Sequence, residues 1–455
     1  MSVSDLRTEV ASMQARAAVC QTLDGGTEAM RAAGSDYLPR WKAEEKDDWE
    51  ARLKCTTLFP AMAKTLDTMV GKPFSEPIVL DGPNSILAHT ENIDMAGRDL
   101  DTFARDITRA ALRDGITWVL VDYPRVRPAA NLAAERATGA RPYWVHVPLA
   151  SMLGWKTQTI SGKVTLSQLR IRESVEIDVD EWTTKTEVRT RVLTPGWVKV
   201  YGPNGELLED GPTSMQEIPL VAFYGKRMGF FSAEPPLADL AWLNVQHWQS
   251  GSDQRNILHK ARVPFLAADA DNRDEKGAEL VFSAGIFVGF ENLHSVSFDS
   301  APIESGRQDL LDLEDQMRRV AGELLSRTAG DKSATEAGLE ASEGSAWLKG
   351  KMRTFQDALE ECFRFHAAWM KESSPVTVTL AMDWDEAAVS AQILQQLTTA
   401  RQAGIISQET YSHNIQAAGL MPEGRTVDQE IASLEAEGPQ SFASPAKTTP
   451  NEEVA

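Results

Sequence analysis

A stretch of 28 residues, 236–263, constrains the architecture of this chain more than any other feature. Its sequence, PLADLAWLNVQHWQSGSDQRNILHKARV, contains one glycine and, after the first residue, no proline, so nothing inside it breaks a helix. Pro235 and Pro236 stand at its beginning, and Pro264 follows its end. As an α-helix it would be about 40 Å long at 1.5 Å per residue. The sequence therefore predicts one long helix around which the other elements have to be arranged.

The first part of the chain has helical spacing of its apolar residues. Residues 1–70 are predicted to be helical, and Leu66, Met69 and Val70 continue the apolar pattern. The segment 41–54 contains large apolar residues that we expect to be buried, namely Trp41, Trp49 and Leu53. Residues 98–114 place several apolar residues on one helical face and end at Gly115, a helix stop. These face residues are Leu100, Phe103, Ile107, Ala110 and Ala111.

The pattern then changes to that of β-strands. ITWVLVDYP (116–124) is a compact apolar run of strand length, and YWVHV, TLSQLRIRESV and IPLVAFYG follow it. Asn204-Gly205 lies between two further runs, which is a strong signal for a β-hairpin. Helices followed by a mixed or antiparallel sheet predict an α+β domain over residues 1–230.

Short strands and long helices are predicted after the 236–263 helix. Strands are expected at Val263–Ala267, Ile286–Phe290 and Ser295–Phe298. A helix is expected from residue 306, because apolar residues there recur at spacings of three and four. These residues are Leu310, Leu313, Met317, Val320 and Leu324. The polar segment RTAGDKSATE (327–336) then separates this helix from a second helical seam that continues to Lys371.

The C-terminal part combines one strand, further helices and a tail. VTVTLAMDW (376–384) is predicted to be a strand, and residues 385–437 to be helical. Residues 438–455 lack a pattern that could be buried and are predicted to be disordered. A chain of 455 residues is too long for one core, so two or more domains are expected.

Charge and composition argue against several classes of protein. A net charge of −20 does not favour tight DNA binding, since phosphate contacts require a basic surface. No run approaches eighteen apolar residues, and the N-terminal segment lacks the apolar core of a signal peptide, so neither a membrane span nor secretion is expected. Cys20, Cys55 and Cys362 are far apart, and we expect reduced thiols in a cytosolic setting.

Motifs that would carry chemistry are weak. Gly330-Asp331-Lys332-Ser333 resembles the end of a phosphate-binding loop, but the earlier glycine and the preceding strand are missing. The S-x-x-K match at Ser444–Lys447 lies in the predicted disordered tail, where nothing holds a nucleophile beside its base. We therefore expect a protein that is not an enzyme, with no catalytic residue, metal or cofactor.

Other polar and aromatic groups have a simpler interpretation than a ligand site. The carboxylates Asp269, Asp271, Asp274 and Glu275 could bind a divalent cation, although a solvated turn is favoured. Trp242 and Trp248 could stack on bases, although packing in the core or between subunits is favoured. The histidines His247, His259 and His366 are expected to be packed or exposed residues of helices rather than ligands.

The order of these elements resembles that of the portal proteins of tailed bacteriophages, in particular the compact portals with a DUF4055-type domain. The similar stretches include YLPRWKAEEKDDWEARL, ENIDMAGRDLDTFARDITRAALRDGITWVLVDYP, RPYWVHVPLASMLGW, IPLVAFYG and PPLADLAWLNVQHWQSGSDQRNILHKARVPFL. They extend over roughly residues 35–440, and their order and spacing carry the resemblance more than any single motif does.

The resemblance implies a portal fold that assembles as a ring, usually of twelve subunits, at one vertex of the capsid. It implies a wing (1–233), a stem helix (234–262), a clip (263–305), a second stem helix (306–328) and a tunnel loop (329–337). A long wing helix with a strand (338–384), a helical crown (385–437) and the disordered tail (438–455) complete the division.

Partners follow from the same resemblance. It implies transient, non-specific contact with double-stranded DNA, docking of terminase and a head–tail adaptor, and contacts with capsid and scaffolding proteins, but no membrane. The protein would assemble in the host cytoplasm and reside in the virion at the portal vertex.

Two sets of residues are predicted to serve this role. The tunnel loop would face the DNA channel through Thr328, Gly330, Asp331, Lys332 and Ser333, with Lys332 touching the phosphate backbone weakly. Neighbouring subunits would pack through residues of the two stem helices, namely Leu237, Leu240, Trp242, Trp248, Leu310, Leu313, Met317, Val320 and Leu324.

Alternatives to this interpretation remain open at the level of sequence. The loop could be an ordinary surface turn between two helices. The protein could be an acidic capsid-associated scaffold or adaptor without a DNA channel. A weaker alternative is a hydrolase that uses the carboxylates of residues 269–275.

Overall fold

The structure is a computed structural model that describes residues 2–124, 139–262, 265–268, 293–296, 300–325, 334–382, 391–417 and 426–437. The chain forms two compact units, residues 1–381 and 382–455. The predicted strand 286–290, the greater part of the predicted loop 329–337 and the tail 438–455 lie outside the described residues. Helices combined with antiparallel sheets confirm the α+β class.

Helices dominate the N-terminal part of the first unit. They are, with one short strand among them, α1 (Thr8–Asp24), α2 (Gly26–Ala33), α3 (Lys46–Cys55), α4 (Ala61–Gly71), β1 (Val79–Asp81), α5 (Asn84–Leu87) and α6 (Leu100–Asp114). α6 begins where the side chain of Asp99 accepts a hydrogen bond from the Thr102 amide, and it ends at Gly115 with φ +87°. All the residues predicted for its apolar face are buried, which confirms that prediction.

A series of antiparallel strands follows α6. They are β2 (Ile116–Asp122), β3 (Tyr143–Val147), β4 (Met152–Ile160), β5 (Lys163–Asp178), β6 (Thr184–Thr194), β7 (Trp197–Tyr201), β8 (Leu207–Pro212), β9 (Leu220–Tyr224), β10 (Lys226–Gly229) and β11 (Ser232–Glu234). They form a three-stranded sheet of order β3-β2-β9, a five-stranded meander from β4 to β8, and the β10-β11 hairpin. Every residue of the central strand β2 is buried, which explains its continuous apolar sequence.

The predicted hairpin at Asn204-Gly205 is confirmed. Gly205 has φ +82° in the turn that joins β7 to β8, and the Gly202 amide donates a 2.8 Å hydrogen bond to the Glu206 carbonyl. Glycine reaches this left-handed conformation without the steric cost of a Cβ.

The sheets and α1 share one core of aromatic and aliphatic side chains. Phe231, in the turn between β10 and β11, packs edge-on against Trp118 of β2 and Trp155 of β4, with ring centroids 5.7 and 5.4 Å apart. Met13 of α1 and Leu169 of β5 belong to the same cluster. This core joins the two larger sheets to the N-terminal helix.

Long helices form the remainder of the first unit. The elements are α7 (Ala238–Ala261), β12 (Phe265–Ala268), β13 (Leu293–Val296), α8 (Ser300–Leu325), α9 (Ala334–Met370) and β14 (Thr377–Thr379). α7 confirms the long helix expected over 236–263. β12 pairs antiparallel with β13, and β14 pairs with β1. α8 begins earlier than the predicted start at 306, because Pro302 lies in its first turn, where a helix tolerates proline.

The second unit is helical in its described residues, as predicted. It contains α10 (Ala391–Gln402), α11 (Gln408–Ala417) and α12 (Val427–Glu437). Gly404, with φ +72°, lies in the turn between α10 and α11.

Three residues near α3 that were expected to be buried require correction. Trp41 is 57% exposed and precedes α3, and Trp49 and Leu53 are only half-buried. The buried residue of this helix is Arg52. The inward side of α3 faces polar groups of α7, so a guanidinium fits there better than a large apolar side chain does.

No helix in the described ranges combines the length and the apolar character that crossing a membrane requires.

Candidate functional site

The long helix α7 is attached to the N-terminal helices through buried polar side chains. Asn244, which is fully buried, donates to the Phe59 carbonyl at 2.8 Å and accepts from the Met62 amide at 3.1 Å. The hydroxyls of Ser252 and Thr56 lie 2.9 Å apart. Each side chain satisfies a polar group of the facing segment, so this polar side of α7 can be buried without a large desolvation cost.

Arg52 of α3 forms the centre of this attachment. Its Nε and one Nη donate to the Glu44 carboxylate at 2.7 and 2.9 Å, and its other Nη donates to Asp253 of α7 at 2.9 Å. The Nη that donates to Glu44 also donates to the Pro39 carbonyl at 3.2 Å. Hydrogen bonds from Arg52 are the main cause of the lowered pKa of Glu44. A buried cation with several charge-assisted hydrogen bonds fixes α7 in one position.

α7 and α8 cross closely and run antiparallel. Near the end of α7, the Gln254 side chain donates to the Ile303 carbonyl at 2.8 Å. Nearer the start of α7, His247 Nε2 lies 3.7 Å from a carboxylate oxygen of Glu314. Gly306 makes the close crossing possible, because a Cβ there would lie 2.2 Å from the Gln254 amide oxygen. Burial lowers the pKa of His247, while Glu314 acts in the opposite direction.

The arginines on the surface of α8 are all paired within the helix. Arg307 pairs with Glu304 at 2.5 Å, Arg318 pairs with Glu314 at 3.0 Å, and Arg319 pairs with Asp315. Each carboxylate lies about one turn before its arginine, the spacing at which helix side chains meet. The surface of α8 therefore carries arginines that are neutralised by carboxylates, together with further carboxylates.

The residues predicted to pack neighbouring subunits occupy different environments in one chain. Five of them are buried by the chain itself, namely Leu237, Leu240, Trp248, Leu313 and Met317. Leu310 and Val320 are half-buried, and nothing is described of the Leu324 side chain. Trp242 is 56% exposed. Side chains that already fill the core of one chain have little surface left for a neighbour, so Trp242 is the strongest remaining candidate for subunit packing.

The predicted tunnel-loop residues lie outside the described residues. These are Thr328, Gly330, Asp331, Lys332 and Ser333.

The helix α9, which follows this loop, is attached at its C-terminal end. Trp369 of α9 donates to the Val121 carbonyl at 3.0 Å and stacks on Tyr123. Glu360 accepts from the Val378 amide at 3.0 Å. The apolar seam of α9 that includes Leu348, Met352 and Phe355 is buried, as predicted.

His366 contacts His89, a pairing that the local sequence does not indicate. His366 of α9 is completely buried, and its Nε2 lies 2.9 Å from Nδ1 of His89. Burial is the largest cause that lowers the pKa of His366, to about 3, and His89 and Arg141 add to it. The spacing of His366 with Phe363 indicates the buried face of α9, but its partner is 277 positions away. His259 is exposed on α7.

A polar cavity between the two larger sheets contains an ion-pair network. Its volume is about 540 Å³. Arg191 of β6 donates to Asp122 of β2 at 2.7 Å and to Glu173 of β5 at 3.2 Å, and the Tyr143 hydroxyl donates to Asp122 at 3.3 Å. Burial raises the pKa of Tyr143 to about 12. These groups are one another's partners and tie the sheets together.

Within the described ranges, no three His, Cys, Asp or Glu side chains are grouped so that they could hold a metal ion. The carboxylates Asp269, Asp271, Asp274 and Glu275 lie outside those ranges.

Solved structures similar to this chain come from gene transfer agent (GTA) particles. One is titled as the virion of the native GTA particle, with 12% identity, a TM-score of 0.43, and coverage of 88% of this chain and 99% of that chain. Two others are titled as necks: the empty particle computed with C6 symmetry (12% identity, TM-score 0.40) and the native particle computed with C12 symmetry (10% identity, TM-score 0.38). Each covers 87% of this chain and 99% of the other.

Comparison with curated proteins gives no match. The family described as "Domain of unknown function (DUF4055)" matches residues 236–370, which contain α7, α8 and α9. The expected resemblance to DUF4055 is therefore confirmed over this long-helix region.

Proposed function

We propose that this chain is the subunit of a portal ring at a capsid vertex, through which double-stranded DNA is packaged and ejected. The observation that carries the proposal is the arrangement of the region that matches DUF4055. An antiparallel helix pair, α7 and α8, is fixed to the α+β body by Arg52 and Asn244 and is followed by the long helix α9. This is the order of stem and wing helices that the resemblance to portals implies.

The electrostatics support passage of DNA without tight binding. The chain carries a net charge of −20, and the arginines of α8 are each neutralised by a carboxylate of the same helix. Affinity for DNA grows with the number of phosphates that cations neutralise. A wall built from α8 would therefore hold DNA weakly and without sequence preference. Lys332, in the segment between α8 and α9, would supply a single weak backbone contact.

In this proposal the chain is a structural protein rather than an enzyme. Terminase, as the motor, would hydrolyse ATP and dock on the ring, and head-completion and tail proteins would dock later. The exposed side chain of Trp242 would contribute to packing between neighbouring subunits, since a ring needs heterologous contacts that repeat by rotation.

Electron microscopy of the purified full-length chain tests the proposal. We expect rings with a central hole, and mass measurement should give a discrete oligomer. A chain that stays monomeric over the whole accessible concentration range would contradict the proposal.

A second experiment separates a DNA conduit from an acidic scaffold without a channel. Lys332→Glu should leave ring assembly intact but alter DNA packaging or retention, and Lys332→Arg should behave like the natural chain. Normal packaging by Lys332→Glu rings would favour the scaffold.

A further inference from the structure

The longest hairpin among the described strands projects from its sheet as a two-stranded arm. β5 and β6 pair as far as Asp178 and Thr184, whereas β4 pairs with β5 only up to Ile171 and β7 pairs with β6 only from Thr190 onward. No described strand pairs with the outer edges of residues 172–178 and 184–189. The arm is about 24 Å long at ~3.4 Å per residue. An isolated two-stranded ribbon is only marginally stable in water, so this arm would gain stability from a partner.

The tip of the arm presents a large apolar side chain on an ordered turn. Trp182 is 87% exposed, and Val179 beside it is also exposed. The Val179 amide donates to the Thr183 carbonyl, and the Trp182 amide donates to the Asp180 carboxylate, both at 2.9 Å. Tryptophan is enriched among the residues that dominate protein interfaces. A tryptophan held outward by a closed turn is therefore suited to binding another protein surface.

The charge of the tip indicates which kind of surface it can bind. Residues 176–185 contain four carboxylates and one lysine, namely Glu176, Asp178, Asp180, Glu181 and Lys185. The complementary surface is basic and has an exposed apolar group for Trp182.

The β10-β11 hairpin of the same chain has these properties. Lys226, Arg227 and Met228 are all exposed. Lys226 and Arg16 both contact the Glu234 carboxylate, at 3.3 and 2.9 Å. Two cations therefore share one carboxylate, and a positive charge remains. The Arg227 guanidinium lies 4.8 Å from the centroid of the Tyr224 ring, which orients it.

The arm cannot reach this hairpin within its own chain. Trp155, which pairs with Leu169 in the sheet, packs against Phe231 in the β10-β11 turn, so the β10-β11 hairpin lies beside the base of the arm. From Leu169 to Asp178 the strand extends about 30 Å at ~3.4 Å per residue. Only another molecule can bring the two surfaces together.

We propose that the tip of the arm binds the basic β10-β11 hairpin of a second copy of this chain. Two different surfaces of one chain then meet in a heterologous contact, which closes into a ring when repeated by rotation. The proposal rests on the ring assembly proposed above and names the contact that links its subunits.

Disulfide trapping between two differently tagged chains tests this contact. Both chains carry Cys55→Ser, because Cys55 is exposed whereas Cys20 and Cys362 are buried. One chain also carries Glu181→Cys and the other Arg227→Cys, so a disulfide that joins the two tags forms only between molecules. Lys163→Cys, at the opposite end of β5, replaces Glu181→Cys in the control. We expect at least about tenfold more linked product than in the control, since a disulfide requires closely placed Cα atoms.

Charge reversal gives a second, independent measurement. Asp178→Lys with Glu181→Lys should reduce the fraction of chains in rings by about tenfold or more, because like charges then face each other. Lys226→Glu with Arg227→Glu should do the same, and the four changes together should restore rings. If the natural chain forms rings but the Glu181→Cys and Arg227→Cys chains give no linked product above the control, this contact is overturned and the ring proposal stays intact. A natural chain that never forms rings would overturn both.

Discussion

Arg52 of α3 donates a 2.9 Å hydrogen bond to Asp253 of α7, a residue 201 positions later in the chain. The same guanidinium holds the Glu44 carboxylate through two further hydrogen bonds. One buried cation thus ties the segment before α3 and the long helix α7 to a single point, and the position of the helix pair depends on it.

Arg52→Ala should lower the free energy of unfolding by about 3 kcal/mol, because the buried guanidinium and its hydrogen bonds to Glu44 and Asp253 would be lost. Urea denaturation of the purified protein measures this change. The matched control is Arg318→Ala on α8, where the side chain is 64% exposed and the pair with Glu314 is solvated. That variant should change stability by less than about 0.5 kcal/mol. Equal effects of the two variants would contradict the role assigned to Arg52.

Gly115→Ala should be more destabilising than Gly205→Ala. Both glycines have positive φ, +87° and +82°, so each alanine has a backbone cost of about 1–2 kcal/mol. A Cβ at Gly115 would also lie 2.4 Å from the Glu234 carbonyl carbon, whereas one at Gly205 would meet nothing within 4 Å. The segment that leads into α7 would have to move in the first variant only. Thermal unfolding should therefore show a clearly larger drop in Tm for Gly115→Ala, and similar drops would disprove the close packing.

Replacement by alanine should destabilise the single chain at Trp248 of α7 but not at Trp242. Trp248 is fully buried, and Trp248→Ala should lower the free energy of unfolding by about 3–5 kcal/mol. Trp242 is mostly exposed, so Trp242→Ala should leave the stability of a single chain within about 0.5 kcal/mol of the natural value. If Trp242 packs between subunits, this variant should form fewer rings. Size-exclusion chromatography and electron microscopy measure the rings, and unchanged assembly would remove Trp242 from the interface.

The buried His366 should make the protein sensitive to acid. Its pKa is lowered to about 3 in the fold, against about 6.5 in an unfolded chain, so unfolding takes up a proton between these values. Stability is therefore fully present above about pH 6.5 and falls by about 1.4 kcal/mol per pH unit for this group as the pH decreases toward 3. His146, whose pKa is lowered to about 4 by burial, acts in the same direction.

His366→Phe removes this contribution while His146 keeps its own. Urea titrations between about pH 6 and pH 4 should show that the free energy of unfolding falls less steeply with decreasing pH in the variant. The difference in slope should be about 1.4 kcal/mol per pH unit, which corresponds to one proton. The slope, rather than the absolute stability, is the quantity to compare, since the variant also loses the hydrogen bond to His89. Identical slopes would mean that His366 does not remain neutral in the fold.

The elements whose ends are marked by local residues could be predicted from the sequence. α6 ends at the glycine stop Gly115, and its apolar face follows one helical period. The β7-β8 hairpin was predicted from Asn204-Gly205 for a similar reason, since few other dipeptides fit such a turn. The long helix α7 followed from the lack of internal proline.

Features that depend on distant partners could not be predicted in this way. The burial of Arg52 requires Asp253, and the burial of His366 requires His89, and nothing in the local pattern of either residue indicates its partner. Trp41 was expected to be buried on the apolar side of a helix, but the helix begins only at Lys46. The predicted subunit-packing set mixed residues that fill the core of one chain with the exposed Trp242, because a helical apolar seam has the same spacing in both cases.

The Gln254 carboxamide occupies the place that a side chain on Gly306 would need, so α7 and α8 approach each other closely at this point. Gln254 directly follows Asp253, the residue of α7 that Arg52 holds. The contact with α8 and the ion pair with α3 therefore lie on adjacent residues of one helix. A larger residue at position 306 would disturb the same short segment of α7 that Arg52 attaches to the N-terminal helices.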